Sequence, residues 1–142
     1  MTCRMRLGYG VVLFAALGAC GRPNPQTQTI QSLTISIAGI AARTNQAAPA
    51  NVDSDTRLDG ARAGPGLKLT SFYTLVNAEA NGVDSTTFDA KLAPTIKKAS
   101  CDNPELRPLI DQGVVVELQY RGKQGNPIGT VSINRDTCGA VR

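Results

Sequence analysis

Apolar residues near the start of the folded part of the chain recur at helical spacing. Ile30, Leu33, Ile37 and Ile40 lie three or four positions apart, which predicts an amphipathic helix over residues 30–44. The alternation of apolar residues around Leu33 also suits a strand. The length of the segment and its alanines favour the helix.

Two later regions have the alternation and turn residues of β-hairpins. Thr56–Ala63 and Leu67–Asn77 flank Gly64-Pro65-Gly66, which is a strong turn signal. Val114–Tyr120 and Ile128–Asn134 flank a loop that contains Gly122 and Gly125. In the second strand of the first hairpin, alternate positions predict one common face, made of Leu67, Leu69, Ser71, Tyr73 and Leu75.

The region between the hairpins, residues 82–112, predicts helix in two pieces. Thr86 followed by Asp89 resembles a capping box at its start. Pro94 falls within the apolar stripe and predicts a kink or a restart of the helix. Gly113 is placed as the terminal stop of the second piece.

The order helix, hairpin, helices, hairpin predicts an α+β fold. We expect one domain over residues 30–142, with an antiparallel sheet of about four strands in two hairpins and helices packed on one face. Only 4% of residues are aromatic and there is no Trp, so the core must consist mainly of Leu, Ile, Val and Ala.

The segment Met1–Ala19 has the features of a signal peptide. Arg4 and Arg6 supply a positive start, and Leu7–Ala19 is an apolar run too short to span a bilayer permanently. The run closes on Leu17-Gly18-Ala19-Cys20. A stretch rich in Pro, Gln and Thr follows, which predicts a flexible tether over residues 20–29.

Leu17-Gly18-Ala19-Cys20 resembles the lipobox of bacterial lipoproteins. The resemblance implies cleavage after Ala19, a diacylglyceryl group on the Cys20 sulfur and acylation of the new amine. Gly21 is not the Asp that retains such proteins at the inner membrane, so the resemblance implies a lipid anchor on the periplasmic face of the outer membrane. The alternative is an ordinary cleaved signal peptide followed by a coincidental Cys.

The four cysteines divide according to this processing. Cys3 leaves with the signal peptide and Cys20 carries the lipid, so Cys101 and Cys138 remain. In an oxidising periplasm we expect these two to form a disulfide. Free thiols are an alternative, and so is a metal site, although two Cys without any His supply too few ligands for zinc.

Little in the sequence points to catalysis or to nucleic acid. There is no His, which removes the commonest general base and metal ligand. The formal net charge of +4 falls to +2 once Arg4 and Arg6 are removed, and the remaining basic residues are scattered without interleaved aromatics. Asp53, Asp55 and Asp59 are candidate carboxylates. Asp53 and Asp55, with Ser54 and Thr56, suggest a calcium loop, but residues 51–62 lack its further ligands and turn formation explains them better. We therefore expect no catalytic residues, no bound metal, no cofactor and no nucleic-acid partner.

A fainter resemblance covers residues 50–140. The segment Asp53–Asp59, together with Tyr73, Cys101, Gly113, Tyr120 and Cys138, is similar to small disulfide-bonded periplasmic lipoprotein domains without a known activity. In size, anchor and single disulfide the chain also resembles secretion-system pilotins, which are acylated proteins that carry partner subunits to the outer membrane.

These observations lead to one main hypothesis and two alternatives. The main one is a non-enzymatic outer-membrane lipoprotein that binds or escorts an envelope protein. A defence lipoprotein, similar to lysozyme inhibitors or to entry-exclusion proteins, is the first alternative. A carboxylate-based envelope hydrolase is the second, and it requires two acids that converge in a pocket.

Overall fold

A computed structural model describes residues 24–77 and 83–140 of the chain. The predicted signal peptide, its cleavage site at Ala19 and the predicted lipidation site at Cys20 lie outside these residues. The elements in chain order are α1 Pro25–Ala47, β1 Ala50–Asn51, β2 Thr56–Gly64, β3 Lys68–Leu75, α2 Ser85–Thr87, a π-helical segment Phe88–Leu92, α3 Ala93–Asp102, α4 Arg107–Asp111, β4 Val115–Gly122, β5 Pro127–Ile133 and α5 Arg135–Ala140.

The strands form one mixed sheet of five strands in the order β1-β2-β3-β4-β5. Both predicted hairpins are present, because β2–β3 and β4–β5 pair antiparallel. The prediction of a purely antiparallel sheet of four strands is wrong, since β3 and β4 pair parallel and β1 adds a short edge strand. The helical region between β3 and β4 is the cause: it carries the chain back to the end of the sheet where β3 began, as a parallel crossover requires.

The long first helix confirms the helical prediction for residues 30–44 and extends it at the N-terminus. Its buried stripe is Leu33, Ile37 and Ala41. The helix begins at Pro25, so residues 25–29 are helical and do not belong to an extended tether. The local sequence explains the early start: the Asn24 side chain accepts a hydrogen bond from the Gln26 N–H, and Pro25 occupies the first helical position. None of the described helices is long and apolar enough to cross a membrane.

One side chain of α1 closes part of the sheet edge. The Asn45 amide donates to the Ala61 carbonyl at 2.9 Å and accepts from the Ala61 N–H at 2.8 Å. Asn45 thus takes the place of a neighbouring strand along β2, beyond the two residues paired with β1. An edge with its backbone groups satisfied in this way is protected from pairing with other chains.

Pro94 determines how the helical region is divided. Residues 88–92 adopt a π-helical turn and α3 starts at Ala93, so the predicted restart at Pro94 is confirmed. Proline has no N–H to donate to the preceding turn, and a π-helical turn is one way to absorb that loss. The predicted cap at Thr86 is wrong: the Asp84 carboxylate caps this region by accepting from the Thr87 N–H at 2.7 Å.

A disulfide joins the helices to the end of the sheet. Cys101 in α3 bonds to Cys138 in α5, with the two Cα atoms 5.4 Å apart, which confirms the predicted bridge. Both residues are buried. The core around them is mainly aliphatic, as the composition predicted, and its largest fully buried side chains are Phe88, Ile37, Leu69, Ile110, Ile133, Val114, Val116 and Val131.

The two faces of the sheet differ in chemistry. α1 and α3 cover one face, where alternate residues of β3 and β4 are mostly apolar. The opposite face, called the outer face below, carries Arg57, Asp59 and Arg62 of β2, Lys68, Thr70, Phe72 and Thr74 of β3, Glu117, Gln119 and Arg121 of β4, and Thr130 and Ser132 of β5. The expectation that no aromatic residue lies among the basic ones is wrong here, because Phe72 sits between two arginines that come from different strands.

Candidate functional site

A groove of about 590 Å³ runs between α1 and α3 over the helix-covered face of the sheet. β3 and β4 form its floor, α1 and α3 form its walls, and the β1–β2 connection and the segment after α3 close its ends. Its lining is mainly apolar and comprises Ile40, Thr44, Val52, Asp53, Thr56, Leu58, Leu69, Ser71, Tyr73, Leu75, Leu92, Thr95, Ile96, Ala99, Ser100, Asn103, Glu105, Leu106, Val116, Leu118 and Tyr120. A concave surface with an apolar majority and several polar side chains can serve as a binding site.

A pair of stacked tyrosines lies in the floor of the groove. Tyr73 of β3 and Tyr120 of β4 are direct partners in the parallel register, and their ring centroids are 5.0 Å apart at an interplanar angle of 13°. Phe88 packs against Tyr120 with a centroid distance of 5.2 Å. The sequence placed both tyrosines on strands, but the stack depends on the parallel pairing, which the hairpin pattern did not predict.

The tyrosine hydroxyls stay protonated at neutral pH. Burial raises the pKa of Tyr73, and a hydrogen bond with Ser71 offsets only part of that rise. The pKa of Tyr120 is raised strongly by burial, and further by the neighbouring Tyr73 and the negative charge of Asp53. Each hydroxyl can therefore donate or accept a hydrogen bond to an occupant of the groove, but neither is suited to act as a base.

Two exposed apolar residues stand at the rim of the groove. Val52, in the connection between β1 and β2, is 60% exposed, and Leu92, at the end of the π-helical segment, is 38% exposed. Both also line the groove. Apolar side chains that are left in water beside an apolar groove are suited to pack against a partner. The sequence pattern placed Leu92 in the apolar stripe of the helical region and did not single out Val52, and it assigned neither residue to a binding site.

The candidate acidic residues of the sequence are separated by the fold. The Asp53 carboxylate borders the groove, but it accepts from the N–H groups of Asp55 and Thr56 at 2.8 and 2.7 Å and so stabilises a turn. Asp59 lies on the outer face, where it pairs with Arg57. Over residues 24–77 and 83–140, no group of three or more His, Cys, Asp or Glu side chains is placed to hold a metal ion.

The disulfide supports one wall of the groove. Cys101 follows Ser100, which lines the groove, and both belong to α3. The bond to Cys138 holds this end of α3 against the helix that follows β5. Cys101 and Cys138, the two disulfide residues predicted from the sequence, therefore stabilise a wall of the groove without lining it.

Three solved structures share this α+β architecture. A secreted protein from Pseudomonas aeruginosa superimposes with a TM-score of 0.66 and 16% identity, over 78% of this chain and 96% of its own. The type 2 secretion system pilotin EpsS from Vibrio vulnificus gives 0.67 and 15%, over 79% and 96%. The type II secretion system pilotin AspS from Vibrio cholerae gives 0.65 and 14%, over 81% and 100%.

Comparison by sequence assigns this chain to no family. No protein-family model matches it, and no curated protein matches it. At 14–16% identity the structural neighbours establish a shared fold. The shared fold is consistent with the faint resemblance to pilotins, which rested on size, anchor and one disulfide and predicted no particular sheet.

Proposed function

We propose that this chain is a non-enzymatic lipoprotein of the outer membrane that binds an envelope protein through the groove and escorts it to the membrane. The main support for this proposal is the groove. Its floor is mostly apolar, the hydroxyls of Tyr73 and Tyr120 in it are neutral, and its rim exposes Val52 and Leu92. The fold shared with two secretion-system pilotins supports the same role.

The shape of the groove suits one apolar stripe of a partner helix. Helices α1 and α3 form the walls over a strand floor, and side chains spaced three and four positions apart on an inserted helix would enter between them. Val52 and Leu92 would pack on the flanks of that helix. The hydroxyls of Tyr73 and Tyr120 would bond to polar atoms at its edge, which favours one register over another.

The position of α1 limits how far the groove stands from the proposed anchor. Only residues 21–24 separate Cys20 from the first residue of α1. Five residue steps reach at most roughly 17 Å even when fully extended. Ile40 and Thr44, the α1 residues that line the groove, lie about 22–28 Å further along the helix, so a partner in the groove would lie within about 45 Å of the proposed anchor.

The variant Cys20→Ser is expected to lose the lipid and to leave the membrane fraction. Two or three acyl chains, at about 0.8 kcal/mol for each buried methylene, are the main source of membrane affinity in this proposal. Labelling with radioactive palmitate and fractionation of cell envelopes measure the change. Cys3→Ser is the matched control and should label and fractionate normally, since Cys3 lies in the segment to be removed. Unchanged labelling of Cys20→Ser would exclude this residue as the anchor.

The variants Val52→Asp and Leu92→Asp are expected to weaken partner binding by about tenfold or more, because each places a charge against an apolar surface. Both side chains are partly exposed, so the domain itself should keep its stability. Affinity capture from solubilised envelopes, followed by titration of the captured protein, measures the effect. Ile35→Asp is the matched control, since Ile35 is 73% exposed on α1 and does not line the groove. Equal loss in all three variants would contradict binding in the groove.

A further inference from the structure

The outer face of the sheet, opposite the groove, has an uneven distribution of charge. Arg57 pairs with Asp59 at 2.6 Å, and Lys68 pairs with Glu117 at 3.1 Å. Hydrogen bonds from Gln119 and Lys68, together with the smaller effects of the Lys68 and Arg62 charges, hold the pKa of Glu117 below its usual value, so this carboxylate stays ionised. Two of the four cations on the face are thus neutralised within the sheet.

The other two cations, Arg62 and Arg121, are exposed and lie on either side of Phe72. Their guanidinium carbons stand 5.8 and 5.9 Å from the centroid of the Phe72 ring. Among residues 24–77 and 83–140, neither guanidinium has a carboxylate within 4.0 Å. The ring positions both cations, and a side chain that is already positioned loses less entropy on binding.

We propose that the outer face binds an acidic segment of a protein, with carboxylates paired to Arg62 and Arg121 across Phe72. The planar guanidinium group suits bidentate pairing with a carboxylate. The face is a twisted but open surface of polar side chains, on which an extended segment can lie. This site is separate from the groove and does not depend on the function proposed for the groove.

The composition of the face favours a protein segment over an anionic membrane. A membrane-binding surface combines cations with exposed apolar side chains that enter the lipid. The large apolar residues exposed in the described part of the chain, Ile30, Ile35, Val52 and Leu92, all lie elsewhere. A uniformly negative membrane surface would also repel Asp59 and Glu117. An acidic segment can instead place its carboxylates at the two arginines and away from these two residues.

The test is a titration of the full chain in nonionic detergent with a short fluorescent peptide of alternating glutamate and serine, at low salt. We expect the peptide to bind, and its glutamine counterpart not to bind. The double variant R62Q/R121Q should weaken binding about tenfold, because two charge-assisted pairs are lost. The double variant K97Q/K98Q removes the same charge from α3 and should change the affinity less than twofold.

A second measurement separates the protein partner from the membrane. Binding to neutral phosphatidylcholine vesicles is compared with binding to vesicles that contain phosphatidylglycerol. Any lipid anchor contributes equally to both, so the difference reports the charged face, and we expect R62Q/R121Q to leave it unchanged. A preference for phosphatidylglycerol that disappears in R62Q/R121Q overturns the proposal. So does failure of the acidic peptide to bind, equal binding of the glutamine peptide, or equal loss in the two double variants.

Discussion

Replacing Phe88 with alanine is expected to lower the free energy of unfolding by about 3–5 kcal/mol, a large part of the stability of a domain of this size. The ring is fully buried, packs against Tyr120 and lies directly over Gly129. A Cβ at Gly129 would stand 2.2 Å from Cδ1 of the ring, which shows how closely the strand approaches it. Because the backbone of β5 is held in the sheet, it cannot move in to fill the space that alanine leaves.

Urea unfolding followed by circular dichroism measures this loss. Phe88→Leu keeps most of the volume and should cost clearly less than Phe88→Ala. Phe72→Ala is a useful control, since Phe72 is only half-buried on the outer face. If Phe72→Ala and Phe88→Ala lowered the stability equally, Phe88 could not be the centre of the core. The stack of Tyr73 on Tyr120, which Phe88 contacts through Tyr120, should also loosen in Phe88→Ala, which links this residue to the groove.

Local sequence signals predicted the elements well because each depends on neighbouring residues. The turn Gly64-Pro65-Gly66 and the alternation on either side of it define the first hairpin without reference to the rest of the chain. Spacing of Ile30, Leu33 and Ile37 similarly predicts α1. The start of α1 is the exception. Asn24 and Pro25 form a good cap, but the polar residues that follow them are also typical of a flexible tether.

Features that depend on long-range pairing did not follow from the sequence. The alignment of Tyr73 with Tyr120 is created by the parallel contact of β3 and β4, which no local pattern encodes. The arginine pair around Phe72 arises in the same way from three adjacent strands. The groove and the outer face depend on the order and pairing of the strands, so the sequence did not predict them. The disulfide could be predicted from the number of cysteines and the expected compartment.

Removing the disulfide with Cys101→Ala and Cys138→Ala together is expected to lower the free energy of unfolding by about 2–5 kcal/mol. The bridge spans 37 positions, so its loss gives the unfolded chain much conformational freedom. Two alanines avoid leaving a lone buried thiol or a buried hydroxyl. Urea unfolding under oxidising conditions, compared with the same measurement in reductant, gives the effect: the original chain should lose stability on reduction, and the double variant should not respond.

The same variant tests whether the bridge matters for binding as well as for stability. α3 carries Leu92's neighbours Thr95, Ile96 and Ala99 along the wall of the groove, and the bridge fixes the end of this helix. When α3 is released at Cys101, the wall should move more freely, and a partner must then pay the entropy of ordering it. We therefore expect weaker partner binding at temperatures where the variant is still folded. Full binding by the folded double variant would show that packing of α3 on the sheet holds the wall without the covalent bond.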